Sequence, residues 1–209
     1  MNFLQQYYQN FKEPKGILGR YAVYRMNGKR HAALAMWALE GAPIPSNAMI
    51  ADIGCGGGAN IARLLNQYPD SRVTGVDQAA ISVNKAIRVN KRAIRAGRCR
   101  IVGGNAKLLP IVKEAIDVVT AFETVYYWQS FSECVDEIFR VLKPGGACII
   151  ANETDGTAPE GAKWAKLIHH MHIYTTQELE QYLAAAGFTN ITSRHDPDRH
   201  FISVTAHKP

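Results

Sequence analysis

Short runs of β-branched and aliphatic residues alternate along this chain with stretches in which apolar side chains return every three or four positions. The runs predict strands at 48–53, 72–77, 99–103, 116–121, 146–152, 188–194 and 200–206. Helical periodicity falls near 59–67, where Ile61, Leu64 and Leu65 share a face, and near 80–96, 131–142 and 175–186. Such alternation predicts an α/β fold, a Rossmann-like and mostly parallel sheet wrapped by helices on both faces. The last two strands leave no room for a helix between them, so they predict an antiparallel hairpin at one edge.

Local punctuation sharpens several boundaries. Pro144-Gly145-Gly146 is expected to end the helix carrying Ile138, Val141 and Leu142 and to turn the chain into the next strand. Thr175 or Thr176 is an expected N-cap, with Glu178 near the helix start to complement its dipole, and Gly187 an expected C-terminal stop. No internal repeat or low-complexity segment interrupts the pattern. Residues 1–45 differ in character, being rich in aromatic and basic groups. They read as a helical arm, either a lid or packing on the sheet domain formed by 46–209.

Composition narrows the class. At 209 residues with 47% apolar side chains, the chain is long enough for a substantial core and belongs with globular rather than disordered sequences. No apolar run approaches a membrane span, and Met1-Asn-Phe-Leu-Gln-Gln-Tyr-Tyr8 lacks signal-peptide organisation. Cys55, Cys99, Cys134 and Cys148 are scattered without metal-ligand spacing. The expectation is a cytoplasmic protein with no membrane partner and no resident metal.

Charge adds an ambiguity. Seven basic residues and no acid lie between Ile81 and Arg100, and Lys85, Arg88, Arg92 and Arg95 recur at helical spacing opposite Ile87 and Ile94. A second basic set, Lys12, Lys15, Arg20, Arg25, Lys29 and Arg30, lies in the arm. Both suit either a nucleic-acid surface or a solvated helix face, and no aromatic residues interleave with the charges of 81–100.

The candidate chemistry begins at Asp52-Ile-Gly-Cys-Gly-Gly-Gly58, between the first predicted strand and helix. Glycines let the backbone turn sharply and let a ligand approach without meeting a β-carbon. The N–H groups of the helix start then face an acceptor. Gly54-x-Gly56-x-x-Ala59 also satisfies the loose dinucleotide pattern of dehydrogenases. Asp77 ends the second strand, where a carboxylate can accept from both ribose hydroxyls of either an NAD or an adenosyl cofactor.

Four segments in order resemble the class I S-adenosylmethionine-dependent methyltransferases: Ala51–Gly58, Val73–Asp77, Gly104-Asn105-Ala106 with Leu109-Pro110, and Arg140–Gly146. Tyr174–Leu179 and Ala185–Phe188 extend the resemblance, which covers roughly residues 46–207. It implies a seven-stranded sheet with a C-terminal antiparallel hairpin. It also implies S-adenosylmethionine as the methyl donor and S-adenosylhomocysteine as its product. Residue by residue, Asp52, Gly54, Cys55, Gly56 and Gly58 would shape the methionine end, Asp77 the ribose and Gln78 the adenine side. Asn105 and Ala106 would border the adenine ring. Many relatives carry Asp where Asn105 stands; an amide still accepts but brings no charge. Phe122 and Glu123 would close the floor beside the methyl group.

The acceptor side is thinner. Phe122-Glu-Thr-Val-Tyr-Tyr-Trp128 lacks the Asn/Asp-Pro-Pro-Tyr/Phe pattern associated with methylation of planar amino groups. Glu123 is read as a base or substrate-orienting group, or as a carboxylate touching only cofactor. Tyr126, Tyr127 and Trp128 either wall an apolar substrate or form core, with Tyr127 a candidate at the reacting centre. His169, His170 and His172 fall where the acceptor site is often covered, and His170 is the candidate there against an ordinary surface helix. Tyr7, Tyr8, Tyr21, Tyr24 and Met26 are candidate lid residues. The leading expectation is a small-molecule methyltransferase of the type seen in ubiquinone and menaquinone biosynthesis. The alternatives are an RNA methyltransferase using 81–100 and the arm, or a cofactor-binding protein without catalysis.

Overall fold

In a computed structural model that describes residues 3–26, 28–157 and 159–209, seven strands share one sheet in the order β3-β2-β1-β4-β5-β7-β6. They are β1 (Met49–Ile53), β2 (Arg72–Asp77), β3 (Cys99–Gly103), β4 (Ile116–Phe122), β5 (Leu142–Asn152), β6 (Thr189–Asp196) and β7 (Phe201–His207). The helices are α1 (Phe3–Lys12), α2 (Gly16–Met26), α3 (Lys29–Leu39), α4 (Ala59–Gln67), α5 (Ala80–Val89), α6 (Lys91–Arg95), α7 (Phe131–Val141), α8 (Pro159–Leu167) and α9 (Thr176–Ala185). The side chains of Met26, Lys29 and Arg30, which the sequence suggested for lid and basic arm, lie outside the described residues.

Strands β1 to β5 pair in parallel, whereas β7 runs antiparallel between β5 and β6. The edge hairpin expected from the absent crossover is therefore present. Ile50–Ile53 and Val118–Phe122 are buried at every position, as helices on both faces require. One face packs Ile53, Val119 and Ile150 against Ile138 and Val141 of α7 and Leu179 and Leu183 of α9. The other packs Ile50, Val118 and Ile149 against Ile61 and Leu64 of α4, Ala86 of α5, and Leu34 and Leu39 of α3. Helix α3, though part of the arm, thus contributes to the core of the sheet. Arg194 of β6 ties this helix to the edge hairpin by donating to the carbonyls of Trp37 (3.0 Å) in its last turn and Glu40 (2.9 Å) at its C-cap.

Two boundaries differ from the pattern-based expectation. The single helix expected over 80–96 is two, broken at Asn90. The buried Asn90 side chain donates to the Gly58 carbonyl (2.9 Å) and to the Ala86 carbonyl (3.0 Å), so it is fixed beneath the glycine loop instead of continuing a helix face. The basic face drawn across 81–100 is interrupted with it, and Ile87, expected inside, is 40% exposed. Pro144-Gly145-Gly146 does not precede β5 but sits within it, as an irregularity between the pairs Ile116↔Leu142 and Val118↔Ala147. Gly145, at φ +77°, donates to the Lys208 carbonyl, and the Lys208 N–H donates to Gly146. The turn therefore binds the C-terminal end of β7's strand path, a partner invisible to local punctuation.

The start of α9 is closed by a reciprocal cap. The Thr175 hydroxyl accepts from the Glu178 N–H (3.2 Å), and the Glu178 carboxylate accepts from the Thr175 N–H (2.8 Å). Gly187 takes φ +95° just after the helix end, as a C-terminal stop requires. Thr175→Ala is expected to cost about 1 kcal/mol of unfolding free energy, read by urea denaturation, with no change in cofactor affinity.

Candidate active site

Because β2 lies on one side of β1 and β4 on the other, chain connections diverge at the carboxyl end of β1 and leave a crevice there. The glycine loop opens into it. Gly54 and Cys55 donate to the Val76 carbonyl (2.8 and 3.1 Å), which folds the loop back over the end of β2. Gly54 has φ +71°, and a β-carbon there would stand 1.9 Å from Thr124 Oγ1. Gly58, at φ +79°, meets α5 so closely that a β-carbon would lie 2.8 Å from Ala86 Cα and Cβ. The two positions are glycine for different reasons, a crossing loop in one case and helix packing in the other.

Asp77 anchors this loop. Its Oδ2 accepts from the Gly56 N–H (2.9 Å) and its Oδ1 from the Ala79 N–H (2.8 Å). Burial raises its pKa, against which these backbone donors and Ser82 act. Behind the loop Asp52 is buried, with Oδ1 accepting from the Thr120 hydroxyl (2.8 Å) and no hydrogen-bond partner for Oδ2. Desolvation pushes its pKa up to about 7, with the Thr120 bond opposing and Asp77 adding.

A cavity of about 380 Å³ occupies the crevice. Of the residues singled out by sequence, Gly54, Asp77, Gln78, Asn105, Ala106, Glu123 and Tyr127 line it. Cys55, Gly56 and Phe122, with Gly54 and Glu123 again, line a smaller cavity of about 40 Å³ beside the loop. Asp52 and Gly58 support the loop from beneath and line neither. The Asn105 side-chain carbonyl accepts from the Lys107 N–H (2.9 Å), so the residue also shapes its own turn. Trp128 donates from Nε1 to Thr124 Oγ1 (3.2 Å), and with Tyr127 it walls the cavity on the side of the 3-10 turn Val125–Tyr127.

His170 stands elsewhere, exposed at φ +58° in the turn after α8 and outside both cavities. His169 offers its carbonyl to Lys12 Nζ (3.0 Å), and His172 Nε2 lies 3.3 Å from Glu178 Oε1. The arm does reach the cavity, through Phe11 and Lys12 at the end of α1 and Glu13 and Pro14 after it. Tyr7, Tyr8 and Phe11 form an edge-to-face aromatic cluster on α1, whereas Tyr21 and Tyr24 are exposed.

Glu123 follows β4 at φ +58°. Its Oε1 accepts from the Tyr126 hydroxyl (2.9 Å) and from the Glu153 N–H, and its Oε2 faces His31 Nδ1 at 4.0 Å. Glu153, at the end of β5, places Oε1 3.1 Å from the same His31 nitrogen. Burial raises the Glu123 pKa, Glu153 adds to the rise and His31 opposes it. Tyr127 is likewise raised, by burial and then by Glu123. Sequence reasoning passed over His31 and Glu153. The position of Glu153 at a strand's carboxyl end, where open α/β sheets bind ligands, was the available signal for it; nothing local marked His31.

Residues 51–150 match the family model described as a methyltransferase domain. The cycloartenol-C-24-methyltransferase of Arabidopsis thaliana is 30% identical over 150 residues, 66% of this chain and 44% of that protein. A methyltransferase solved in complex with the Haloferax volcanii Trm112 methyltransferase activator superposes with a TM-score of 0.78 at 20% identity, over 91% of this chain and 94% of that one. Haemonchus contortus phosphoethanolamine N-methyltransferase 2, solved with S-adenosyl-L-methionine, gives 0.78 at 13% identity over 97% and 60%. At these identities the two structures speak for the fold. The chain spans about half the length of the curated relatives it matches.

Proposed function

We propose that the chain, whose residues 51–150 match a methyltransferase domain, is a class I S-adenosylmethionine-dependent methyltransferase that uses S-adenosylmethionine as its cofactor to methylate a small-molecule acceptor. The observation that carries the acceptor class is the construction of the cavity. Asp77 at the end of β2, Asn105 after β3, and Glu123, Tyr127 and Trp128 after β4 line one space together with Phe11–Pro14 of the arm. A site walled by aromatic rings and covered by an arm suits a compact acceptor better than a polymer.

In this reading Asp77 holds the ribose, Gln78, Asn105 and Ala106 border the adenine, and the loop from Gly54 to Gly58 cradles the methionine end. Glu123 and Tyr127 face the transferring methyl group, and residues 1–45 act as a lid. The donor supplies the reactive carbon for an in-line displacement, so the protein's work is to align the acceptor and exclude water. His170 takes no part in this scheme, being outside both cavities.

The RNA reading has the basic segment in its favour, and Arg88, Lys91, Arg92, Arg95 and Arg100 are exposed. None of them lines the cavity, and Arg98 is spent on the carbonyls of Leu65 (2.9 Å) and Tyr68 (3.2 Å). A transfer screen with methyl-labelled cofactor, run in parallel on a metabolite extract and on total RNA, separates the readings. Label is expected in the small-molecule fraction. Label in RNA, or none anywhere from protein that binds S-adenosylmethionine by calorimetry, would overturn the proposal.

A further inference from the structure

His31, Glu123 and Glu153 come from three separate elements, α3 and the ends of β4 and β5, and converge beside the glycine loop. One ligand atom from each lies within 4.8 Å of the others. His31 Nδ1 stands 3.1 Å from Glu153 Oε1 and 4.0 Å from Glu123 Oε2. Ligand atoms sharing one ion at about 2.1 Å are about 3.0–3.4 Å apart at octahedral-cis or tetrahedral angles, so the His31–Glu153 edge already fits, while the 4.0 Å edge and the Glu123–Glu153 edge, which lies within 4.8 Å, close on the ion. We propose that these three residues bind one divalent first-row transition ion at the methyl end of the cleft.

Three features beyond proximity favour an ion over a simple hydrogen-bonded cluster. Side-chain exposure is 1% for Glu153 and 12% for Glu123, so two carboxylates share a site with little water to screen them. A divalent cation shared between the two carboxylates offsets that cost. The Tyr126 hydroxyl and the Glu153 N–H both bind Oε1 of Glu123, which orients the carboxylate and turns Oε2 toward His31, the outer-sphere arrangement that metal-ligating carboxylates need. His31 remains 27% exposed on the side of the small cavity, so the three-ligand set is open to a further ligand. A mixed imidazole and carboxylate set suits zinc, manganese or iron better than magnesium or calcium.

This inference rests on the proposed function only for its consequence: an oxygen or nitrogen of the acceptor, entering as the next ligand, would be held and made more acidic beside the methyl donor. Binding itself is testable without an acceptor. Chelator-stripped full-length protein is titrated with Co²⁺ and, separately, Mn²⁺, followed by calorimetry and, for cobalt, by visible absorption. One ion per chain with micromolar affinity is expected, weakened by at least about tenfold in His31→Ala and in Glu153→Gln. Failure to bind either ion at millimolar concentration, or equal binding in both variants, would overturn the site. Thermal melting of each variant guards against misfolding, and His31→Ala, on a partly exposed side chain, carries the test alone if Glu153→Gln does not fold. S-adenosylmethionine titrated into the same samples distinguishes the two proposals. Cofactor binding without metal binding sinks the ion and leaves the methyltransferase reading standing.

Discussion

Gly54→Ala is expected to lower stability by about 2–5 kcal/mol and to abolish cofactor binding in whatever protein remains folded. Two costs combine. An L-residue held at φ +71° costs about 1–2 kcal/mol, and forcing a methyl into filled space adds about 1–3 kcal/mol. The space here is filled by Thr124, whose Oγ1 would be 1.9 Å and whose Cβ 2.6 Å from the new carbon. Thr124 cannot yield cheaply, since its hydroxyl accepts from Trp128 Nε1 and holds one wall of the cavity. Gly56→Ala is the control: φ is +52° but nothing lies within 4 Å, so only the conformational cost applies. Thermal melting should separate the two, at about 2–4 °C for each kcal/mol in a chain of this size. A double variant, Gly54→Ala with Thr124→Ala, should recover part of the loss. Equal melting temperatures for Gly54→Ala and Gly56→Ala would mean the loop is looser than its contacts imply.

That comparison also explains what the sequence could reveal. The central parallel strands β1 and β4 are legible because their signal is local: buried parallel strands are runs of Val, Ile and Ala, and the helices around them repeat their apolar positions. The glycine loop is legible because its residue types follow from backbone geometry and from the ligand's approach. What escaped notice depends on partners far along the chain. Asn90 breaks the basic helix because it reaches the Gly58 carbonyl, and Pro144–Gly146 enters β5 because Lys208 pairs with it. No periodicity encodes either contact.

The same division runs through the site. Gly54, Asp77, Gln78, Asn105 and Ala106 sit in motifs at strand ends, so the order of segments was enough to bring them to one cavity. Glu123 was visible for the same reason. Its neighbours were not, because His31 arrives from α3 across the sheet's other face and Glu153 from the next strand. His170 shows the converse: a histidine cluster that is conspicuous in sequence can be a solvent-facing turn. Side-chain type suggests chemistry, but only the crossing of distant elements decides which groups meet.

Asp77→Ala is expected to weaken S-adenosylmethionine binding by about 10- to 100-fold, or roughly 1–3 kcal/mol, measured by calorimetry. The residue does two things at once. Both carboxylate oxygens already accept backbone N–H bonds, from Gly56 and Ala79, while the residue lines the cavity where a ribose would lie. A carboxylate has about four lone-pair directions, so it can serve the loop and the sugar hydroxyls together. Removing it frees the loop and, with the ribose placed as proposed, deletes the sugar contact, so the affinity loss would sum both effects. Asp77→Asn separates them. An amide keeps one oxygen for one backbone donor but presents an N–H₂ group to the other, so it opposes the loop while leaving the cavity's shape unchanged. Its affinity should fall nearly as far as that of the alanine variant if the loop anchor dominates, and by clearly less if the sugar contact dominates. S-adenosylhomocysteine lacks the methyl and the sulfonium charge but shares the ribose, so it should lose affinity in the same proportion. Unchanged affinity for both ligands in Asp77→Ala would place the ribose elsewhere in the cleft.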